Sequence, residues 1–405
     1  MNNKPTTICM FSNLYHPVAS GSSLHLSNLS RELVRCGCKV IIITAHVEKK
    51  SKAYEIDNGI HIYRLPSIRL PKMPISLNFP WLTLTFTPNN LKQIEQIIDK
   101  HTPDVFHLHN HMFDLAFSAV VMKKKKKVPL VVTNHTIIKH SRLIYNLILY
   151  PLDRFFLRAT VINNADVIIC PDLNSKNYIR DAFKKRNTLL IPYGIELPKA
   201  PSERNIEQIK KKYKLHGKKV ILSLGHVHEI RNRKDLIEAM PMILKEHPNT
   251  VLLIVGEVTT KTPELLANKL GIQQSLILAG SVPYDDIPAF FAVADMESHW
   301  LNQDDPEKTS PGIAFLEAMY AGKVVIAAAN EESYGTGILK SGHNCILVKM
   351  NDPFQLANTI TSLLNDRKQC ELIGDHAHET IKKHFSWKNI CEKTIQVYNE
   401  VIQKF

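Results

Sequence analysis

The sequence predicts an α/β protein built from two Rossmann-like, doubly wound domains. The chain has 405 residues, more than a single hydrophobic core usually serves. Both halves alternate β-branched apolar runs with amphipathic helical patterns, which is typical of parallel sheets covered on both faces. The alternation breaks once, at a proline-containing segment at 197–204, and then restarts. We therefore expect two domains facing a central cleft, with ligands beyond the carboxyl ends of the strands.

The first half begins with a buried strand at 6–14 and a small-residue loop at 19–23. A helix at 24–37 follows, with leucines at helical spacing, and it stops at Gly37. The remaining elements predicted here are a strand at 39–46, a hairpin around Asn58 and Gly59, a helix at 91–101, and strands at 103–110, 129–136 and 165–171.

The second half repeats the same alternation. Its apolar runs predict strands and its amphipathic runs predict helices, in an order that suits a second parallel sheet. The predicted strands are 218–225, 249–257, 275–282, 323–329 and 344–350, and the predicted helices are 234–247, 262–271, 284–295, 311–321 and 353–366.

Composition predicts an ordinary globular protein rather than a membrane-spanning one. Hydrophobic residues make up 44% of the chain and charged residues 22%. No apolar run approaches the roughly 20 residues that span a bilayer, and the first residues lack the order of a signal peptide. The seven cysteines contain no CxxC pair and are interpreted as reduced thiols. These features predict a cytoplasmic protein.

The formal net charge is +13, and its most concentrated feature is the lysine run at 123–127. One interpretation is a solvated connector between a helix and the following strand. Another is a patch that meets an anionic membrane surface. Nucleic acid is not expected as a partner, because no basic run is interleaved with stacking aromatic residues.

The segment TSPGIAFLEAMYAG (309–322) suggests an anion site at a helix start. We expect Ser310 as N-cap and Pro311 as the first helical residue, which leaves the amides of Gly312 and Ile313 free to bind a phosphate. Glu317 lies farther along the same helix, and its carboxylate can accept two hydroxyl groups. Phosphate at the tip and a diol beyond it describe a nucleoside diphosphate. The alternative is a capped core helix whose Glu317 is salt-bridged or solvated.

A second segment, LSLGHVHEIRNRK, places cations after the strand that ends at Gly225. Arg231, Arg233 and Lys234 could neutralise a departing diphosphate without a metal ion. The alternative is that these residues start a helix and face water. That alternative is plausible for Arg233 and Lys234. It is less plausible for all three residues at once, because cations oppose the dipole at a helix N-terminus.

These segments resemble the retaining, nucleotide-sugar-dependent glycosyltransferases of family four, which have the GT-B fold. The resemblance implies transfer of a hexose from a UDP- or GDP-sugar to an acceptor hydroxyl, without a cofactor or a required metal. It also implies that a closing helix returns to the first domain, so we predict one domain of 1–197 plus 386–405 and another of 204–385. The matching segments are YHPVASGSSLHLSNLSRELVRCGCKV, PDVFHLHNH, VVTNHT, IPYGIE, LILAGSVPYDDIPAFFAVAD, SPGIAFLEAMYAGKVVIAA and FSWKNICEKTIQVYNEVI.

The resemblance also implies roles for individual residues. Arg231 matches the cation that holds the donor phosphates, and Glu317 matches the glutamate that binds the ribose hydroxyls. His135 matches the histidine that contacts the transferred sugar, which makes His135, Arg231 and Glu317 the predicted catalytic residues. The predicted donor-binding residues are Gly21, Gly225, His226, Arg231, Lys234, Gly280, Val282, Thr309, Ser310, Gly312, Ile313 and Glu317.

Two departures from the family pattern concern the sugar-phosphate end of the donor. Thr309 stands where the family has the first glutamate of its Glu-x7-Glu motif, with Glu307 and Asp305 as neighbouring candidates to replace it. His226 stands where the family has an arginine, and a neutral imidazole is a weaker phosphate partner than a guanidinium. These changes keep a catalytically silent homologue, which binds nucleotide sugar or a partner enzyme, as the alternative function.

Other motifs are not expected to hold a metal or a nicotinamide. His107, His109 and His111 have ligand-like spacing on a strand, but structural or substrate-contacting roles are preferred because no cysteine or carboxylate set completes a site. The acidic run at 303–307 resembles a metal motif of the other glycosyltransferase fold, which a two-domain chain does not need. No GxGxxG motif follows the first strand.

The acceptor is predicted from two apolar segments of the first half, 67–90 and 144–158. With the lysine run they could form a basic-apolar face that suits a membrane lipid acceptor, which would place the protein on the inner face of the membrane. A saccharide acceptor is retained, and the alternative for both segments is interior packing.

Overall fold

The structure is a computed structural model. It describes residues 5–18, 20–48, 51–71, 82–139, 143–184, 187–196, 199–228, 231–299 and 311–405. The chain divides into two compact units. Unit 1 comprises residues 1–194 and 387–405, and unit 2 comprises residues 195–386.

Unit 1 contains an eight-stranded sheet in the order β10-β9-β8-β7-β1-β2-β4-β3. Every neighbouring pair is parallel except the hairpin β3–β4, which turns at Asn58 and Gly59 as predicted. The strands are β1 Thr7–Ser12, β2 Lys39–His46, β3 Tyr54–Asp57, β4 Ile60–Pro66, β7 Val105–His109, β8 Leu130–Thr133, β9 Val167–Cys170 and β10 Thr188–Leu190, and a separate antiparallel pair is β5 Ile68–Leu70 and β6 Leu82–Leu84.

The helices of unit 1 cover both faces of this sheet with two buried apolar clusters. The last helix of the chain packs against the first, and its Tyr398 is fully buried. The α-helices are α1 Gly21–Arg35, α2 Pro88–His101, α3 Leu115–Lys126, α4 Leu143–Pro151, α5 Arg158–Thr160, α6 Leu173–Phe183 and α14 Trp387–Lys404, and a π-helical segment, Leu152–Leu157, joins α4 to α5.

Unit 2 contains a six-stranded, fully parallel sheet in the order β13-β12-β11-β14-β15-β16. The strands are β11 Lys219–Leu224, β12 Thr250–Val255, β13 Leu276–Gly280, β14 Met296–Ser298, β15 Val324–Ala327 and β16 Ile346–Leu347, and the helices are α7 Glu203–Lys212, α8 Lys234–Glu246, α9 Thr262–Lys269, α10 Ile287–Val293, α11 Ile313–Tyr320, α12 Pro353–Asn365 and α13 Arg367–His384.

In both sheets, the chain first adds strands on one side of the first strand and then adds the later strands on its other side. In unit 1 the reversal lies between β1 and β7, and in unit 2 between β11 and β14. The predicted class of two doubly wound α/β sheets is therefore confirmed. In sheets of this kind a crevice opens at the carboxyl ends of the two strands that flank the reversal, so we expect a ligand site there.

The lysine run is part of a helix rather than a connector. Lys123 to Lys126 form the last turn of α3, and Lys127 is its C-cap in the left-handed conformation. Cations in a last turn complement the helix dipole. Carboxylates also pair with three of them: Lys123 with Asp166, Lys125 with Glu95, and Lys126 with Glu95 and Asp99.

Candidate functional site

Three glycines line the carboxyl edge of the unit 2 sheet. Gly225 and Gly256 directly follow β11 and β12, and Gly280 ends β13. All three have positive φ, at 123°, 144° and 72°. A Cβ atom built at Gly256 would lie 2.4 Å from the carbonyl oxygen of Gly225, so a side chain there would push the two loops apart. These glycines keep the backbone at this edge free of side chains.

The predicted phosphate cations lie in the loop after β11. His226 is exposed, and its Nδ1 lies 3.6 Å from Oε2 of Glu257. Arg231 is partly buried, and burial lowers the pKa of its guanidinium. Lys234 starts α8 and is exposed, with its Nζ 3.9 Å from Oε1 of Glu238. Two cations therefore lie beyond the strand end: Arg231, which is partly exposed, and Lys234, which is exposed at the start of α8.

Arg233 does not face water, so that alternative is wrong for this residue. It adopts a left-handed backbone, φ 61°, which turns its guanidinium under the loop, where it is buried. The guanidinium donates to Ser223 Oγ at 3.0 Å and to the carbonyl oxygens of Gly225, His226 and Arg231 at 2.8, 3.1 and 2.6 Å. Arg233 therefore fixes the shape of the loop that carries Arg231.

A buried carboxylate lies next to this loop. Glu297 in β14 is 0% exposed, and its Oε1 lies 3.5 Å from the amide nitrogen of Leu224. Burial lowers the pKa of Arg233, and the charge of Glu297 opposes that effect. The carboxylate partly compensates the buried guanidinium, because an unpaired buried charge is costly.

Helix α11 begins two residues later than predicted. Its N-cap is Gly312 and its first residue is Ile313, so Pro311 lies before the helix. The hydroxyl of the buried Tyr334 donates to the carbonyl of Pro311 and fixes the approach to the helix. Among the described residues, which exclude 300–310, no side chain caps this start and no atom lies within 4 Å of a Cβ built at Gly312. The amides at a helix start suit a phosphate.

Glu317 is buried, and among the described residues it has no ion-pair partner. It lies five residues past the N-cap, about 7.5 Å along the helix axis. The carboxylate is 6% exposed, and the hydroxyl of Tyr284 donates to its Oε1 at 2.5 Å. Burial raises the pKa of Glu317, and the hydrogen bond from Tyr284 opposes the increase. Tyr284 lies four residues after Gly280, the last residue of β13, and the intervening segment contains Val282.

In unit 1, His135 follows β8 and both of its ring nitrogens have protein partners. Its Nε2 lies 3.1 Å from His109 Nδ1, and its Nδ1 lies 2.8 Å from the hydroxyl of Tyr193. Burial lowers the pKa of His135 well below the ordinary value, so the ring is neutral at physiological pH. The ring is therefore held in a fixed position at the carboxyl edge of the unit 1 sheet.

The three histidines of the HLHNH segment do not form one site. His107 bonds Tyr398 and Thr133, at 2.6 and 2.7 Å, and His111 lies 3.4 Å from Asp153. A different set of histidines lies close together: His25, His109 and His135 each have one ligand atom within 4.8 Å of the others. Three neutral imidazoles could hold a transition metal, but the pairing of both His135 nitrogens supplies a structural explanation for the cluster.

Gly21 lies in a helix and not in a loop. It is the first residue of α1, after the N-cap Ser20, whose side chain accepts from the amide of Ser23. A Cβ at Gly21 would meet no atom within 4 Å, so open space adjoins this helix start as well. The predicted donor residues Thr309 and Ser310, with Glu307 and Asp305, lie outside the described residues.

Comparison with known proteins identifies the family. The profile of the Glycosyltransferase Family 4 domain matches residues 19–198, and that of the Glycosyl transferases group 1 domain matches residues 205–380. Together they cover most of the chain. The chain belongs to the GT-B glycosyltransferases of family four.

Relatives of this glycosyltransferase match it over most of its length. An uncharacterised glycosyltransferase of Methanocaldococcus jannaschii is 24% identical over 98% of both chains. The alpha-monoglucosyldiacylglycerol synthase of Streptococcus pneumoniae is 24% identical over 80% of this chain and 71% of its own. Among solved structures, Anabaena HepE in complex with UDP and glucose superposes with a TM-score of 0.67 at 17% identity, covering 98% of this chain and all of its own.

Sequence reasoning missed several residues of this glycosyltransferase site. Tyr284 and Tyr193 contact predicted residues, but neither stood in a pattern that sets it apart from other aromatic residues. Glu297 lies in a segment too polar to be predicted as a strand. A signal was present for Arg233, since a cation before a helix start opposes the dipole and needs another reason to be there.

Proposed function

We propose that this glycosyltransferase transfers a hexose from a UDP- or GDP-sugar to an acceptor hydroxyl with retention of configuration and without a metal ion. One observation carries the donor assignment. The uncapped start of α11 and the buried carboxylate of Glu317 lie on one short helix beside the glycine-lined edge of the sheet. Amides at a helix start favour phosphate, and a carboxylate favours a diol. The UDP found with HepE supports a nucleotide donor.

The mechanism follows from these groups. Departure of the nucleoside diphosphate builds negative charge on the leaving oxygen. The guanidinium of Arg231 and the amides at the start of α11 stabilise that charge, because both are fixed before the bond breaks. His135, held neutral and oriented by Tyr193 and His109, is proposed to contact the transferred sugar. A sugar hydroxyl would then replace one of the two contacts of this ring.

Incubation with UDP-, GDP- and ADP-sugars tests the donor assignment. We expect slow release of one nucleoside diphosphate, reduced at least a hundredfold in Glu317→Ala and in Arg231→Ala. Lys368→Ala, an exposed lysine of α13, is a matched cation control and should retain activity. Tight nucleotide binding without turnover for any donor or acceptor would instead favour the catalytically silent homologue, the alternative that Thr309 motivates.

The acceptor is proposed to be a lipid at an anionic membrane surface, such as the inner face of the cytoplasmic membrane. An exposed apolar face supports it, and its most exposed member, Leu143, is 83% exposed. The pneumococcal relative is named as the synthase of a glycolipid, alpha-monoglucosyldiacylglycerol. Arg154 and Arg158 lie in the same segment, which adds positive charge beside the apolar side chains. The apolar face consists of Leu143, Ile144, Leu147, Ile148, Tyr150, Leu152, Phe155 and Phe156.

Among the described residues, no helix combines the length and apolar character that crossing a bilayer requires. Three lysines of the 123–127 run already pair with carboxylates, so the proposed membrane contact does not include them. Segment 67–90 is mixed: Thr83 and Thr85 are buried, Ile68 is exposed, and 72–81 lies outside the described residues.

A further inference from the structure

A tyrosine contacts the carboxylate that is proposed to bind the ribose. Tyr284 begins a 3-10 turn, Tyr284–Asp286, and only Pro283 separates it from Val282, a predicted donor-binding residue. Its side chain is 58% exposed, whereas Glu317 is 6% exposed. We propose that Tyr284 is a positioning residue for the nucleoside, whose hydroxyl orients Glu317 and keeps it ionised for the ribose diol. This inference rests on the proposed function, because it takes Glu317 as the ribose acceptor.

The first argument is geometric. A carboxylate has two oxygens with about four lone pairs, and a vicinal diol needs both oxygens in one orientation. The hydroxyl of Tyr284 donates to Oε1 at 2.5 Å and thereby fixes the rotation of the carboxylate. Among the described residues, no hydrogen bond is made to Oε2, so one complete oxygen and a lone pair of the other remain for the ligand.

The second argument is electrostatic. Burial raises the pKa of Glu317, which favours the protonated form, and the hydrogen bond from Tyr284 favours the ionised form. A protonated carboxyl loses an acceptor site and binds a diol less well. Burial, the bond to Glu317 and the nearby carboxylates of Glu196 and Asp285 raise the pKa of Tyr284, so its hydroxyl keeps the proton that it donates.

Among the described residues, two histidines also contact α11, and neither is seen to hydrogen-bond to the Glu317 carboxylate. His378 of α13 bonds the carbonyl of Tyr320 at the end of the helix. His299, which follows β14, packs its ring against Phe315. In the part of the chain that the structure describes, Tyr284 is thus the one side chain that hydrogen-bonds to the carboxylate of Glu317, so its removal should act on that group directly.

The test compares Tyr284→Phe with the unaltered protein by calorimetric titration with UDP, GDP and their 2′-deoxy forms between pH 5 and pH 8. Phenylalanine keeps the ring and removes the hydroxyl. We expect about a tenfold loss of affinity for the preferred nucleotide, because a hydrogen bond to a charged acceptor is lost. Discrimination against the 2′-deoxy form should shrink. The pH below which binding fails should move upward, since the pKa of Glu317 loses its lowering contact.

Tyr213→Phe is the matched control. Its hydroxyl is buried in unit 2, and no hydrogen-bond partner for it is found in the described part of the chain, so nucleotide binding should not change. Unchanged affinity, discrimination and pH limit in Tyr284→Phe would overturn the inference. An equal loss for ribose and deoxyribose nucleotides without a pH displacement would also overturn it, since that result indicates a merely structural role. A failure of the proposed function would give a different result. If Glu317 does not bind the ribose, Glu317→Gln should bind UDP and GDP with the same affinity as the unaltered protein.

Discussion

At the residue scale, the most unusual groups are four neutral histidines in unit 1, of which His25, His107 and His109 are buried and His135 is half-buried. Burial lowers the pKa of His25 and His107 to about 3 and lowers that of His109 and His135 well below the ordinary value. Neighbouring imidazoles also disfavour protonation of His107, His109 and His135. Neutral rings can both donate and accept, which explains how His109 and His135 bond directly to each other.

This cluster predicts acid-sensitive stability. Because the folded-state pKa values lie below the unfolded value of about 6.5, the folded protein resists protonation that the unfolded chain accepts. The stabilisation is complete above pH 6.5 and is lost progressively as the pH falls toward 3. Each histidine should cost about 1.4 kcal/mol of unfolding free energy per pH unit once the pH is well below 6.5. Urea unfolding of unit 1, followed at pH 7.5 and 5.5, measures the effect.

His25→Phe and His216→Gln separate this cause from general acid effects. No hydrogen bond of His25 is seen among the described residues, and its Nδ1 is a buried atom without a partner, so phenylalanine removes the titration while keeping an aromatic ring. The variant should lose less stability at pH 5.5 than the unaltered protein. His216 is exposed, and its replacement should leave the pH dependence unchanged. Equal pH dependence in all three proteins would contradict the explanation.

Some contacts of individual residues could not be predicted from the sequence. The direction of the Arg233 side chain depends on one positive φ angle, which no hydrophobic pattern encodes. The contact between Tyr284 and Glu317 joins residues 33 positions apart, and it exists only because the β13 loop lies beside α11. The roles of Arg231 and Glu317 were predicted from their segments and from the family resemblance, whereas these supporting contacts needed the fold.

At the element scale, the long apolar strands were predicted because burial on both faces leaves a continuous apolar run. Two of the elements that were not predicted show why. Strand β14 has three residues, and two of them, Glu297 and Ser298, are polar although buried. Helix α13 is polar over most of its length, and its buried face contains Gly374, whose Cβ would lie 2.1 Å from the carbonyl of Gly322. A narrow buried stripe of Ile373, Ala377 and Ile381 accompanies this close backbone packing, and it is too sparse to stand out in a polar sequence.

The start of α11 carries an element-scale prediction. Gly312→Asp places a carboxylate at the proposed phosphate position, where like charges repel. Gly312 has φ −79° and open space at Cβ, so the substitution should not disturb the fold. We expect at least a tenfold loss of nucleoside diphosphate affinity in calorimetric titration, with the thermal midpoint within a few degrees of the unaltered protein. Gly312→Asn, which is similar in shape but uncharged, should lose much less; equal losses would argue against a charge effect.

At the scale of the whole molecule, charge and apolar exposure point to one kind of partner. A chain with net charge +13 is attracted to anionic surfaces, and unit 1 exposes the eight-residue apolar face of α4 and the following π-helical segment. Soluble monomers rarely expose so many large apolar side chains in one short segment. An interfacial segment gains binding from apolar insertion and from attraction to anionic lipids together, so each contribution can be removed separately.

Liposome sedimentation tests this surface. The protein should sediment with vesicles that contain anionic lipid at low salt and return to the supernatant at high salt, because salt screens the electrostatic contribution. Leu147→Glu should release it even at low salt, since a charge then replaces an apolar side chain that is 74% exposed. Leu265→Glu, in α9 of unit 2, changes a similarly exposed leucine and should leave sedimentation unchanged. If the unaltered protein stays in the supernatant at both salt concentrations, a membrane lipid is not its acceptor, and the apolar face must be covered by something other than a bilayer.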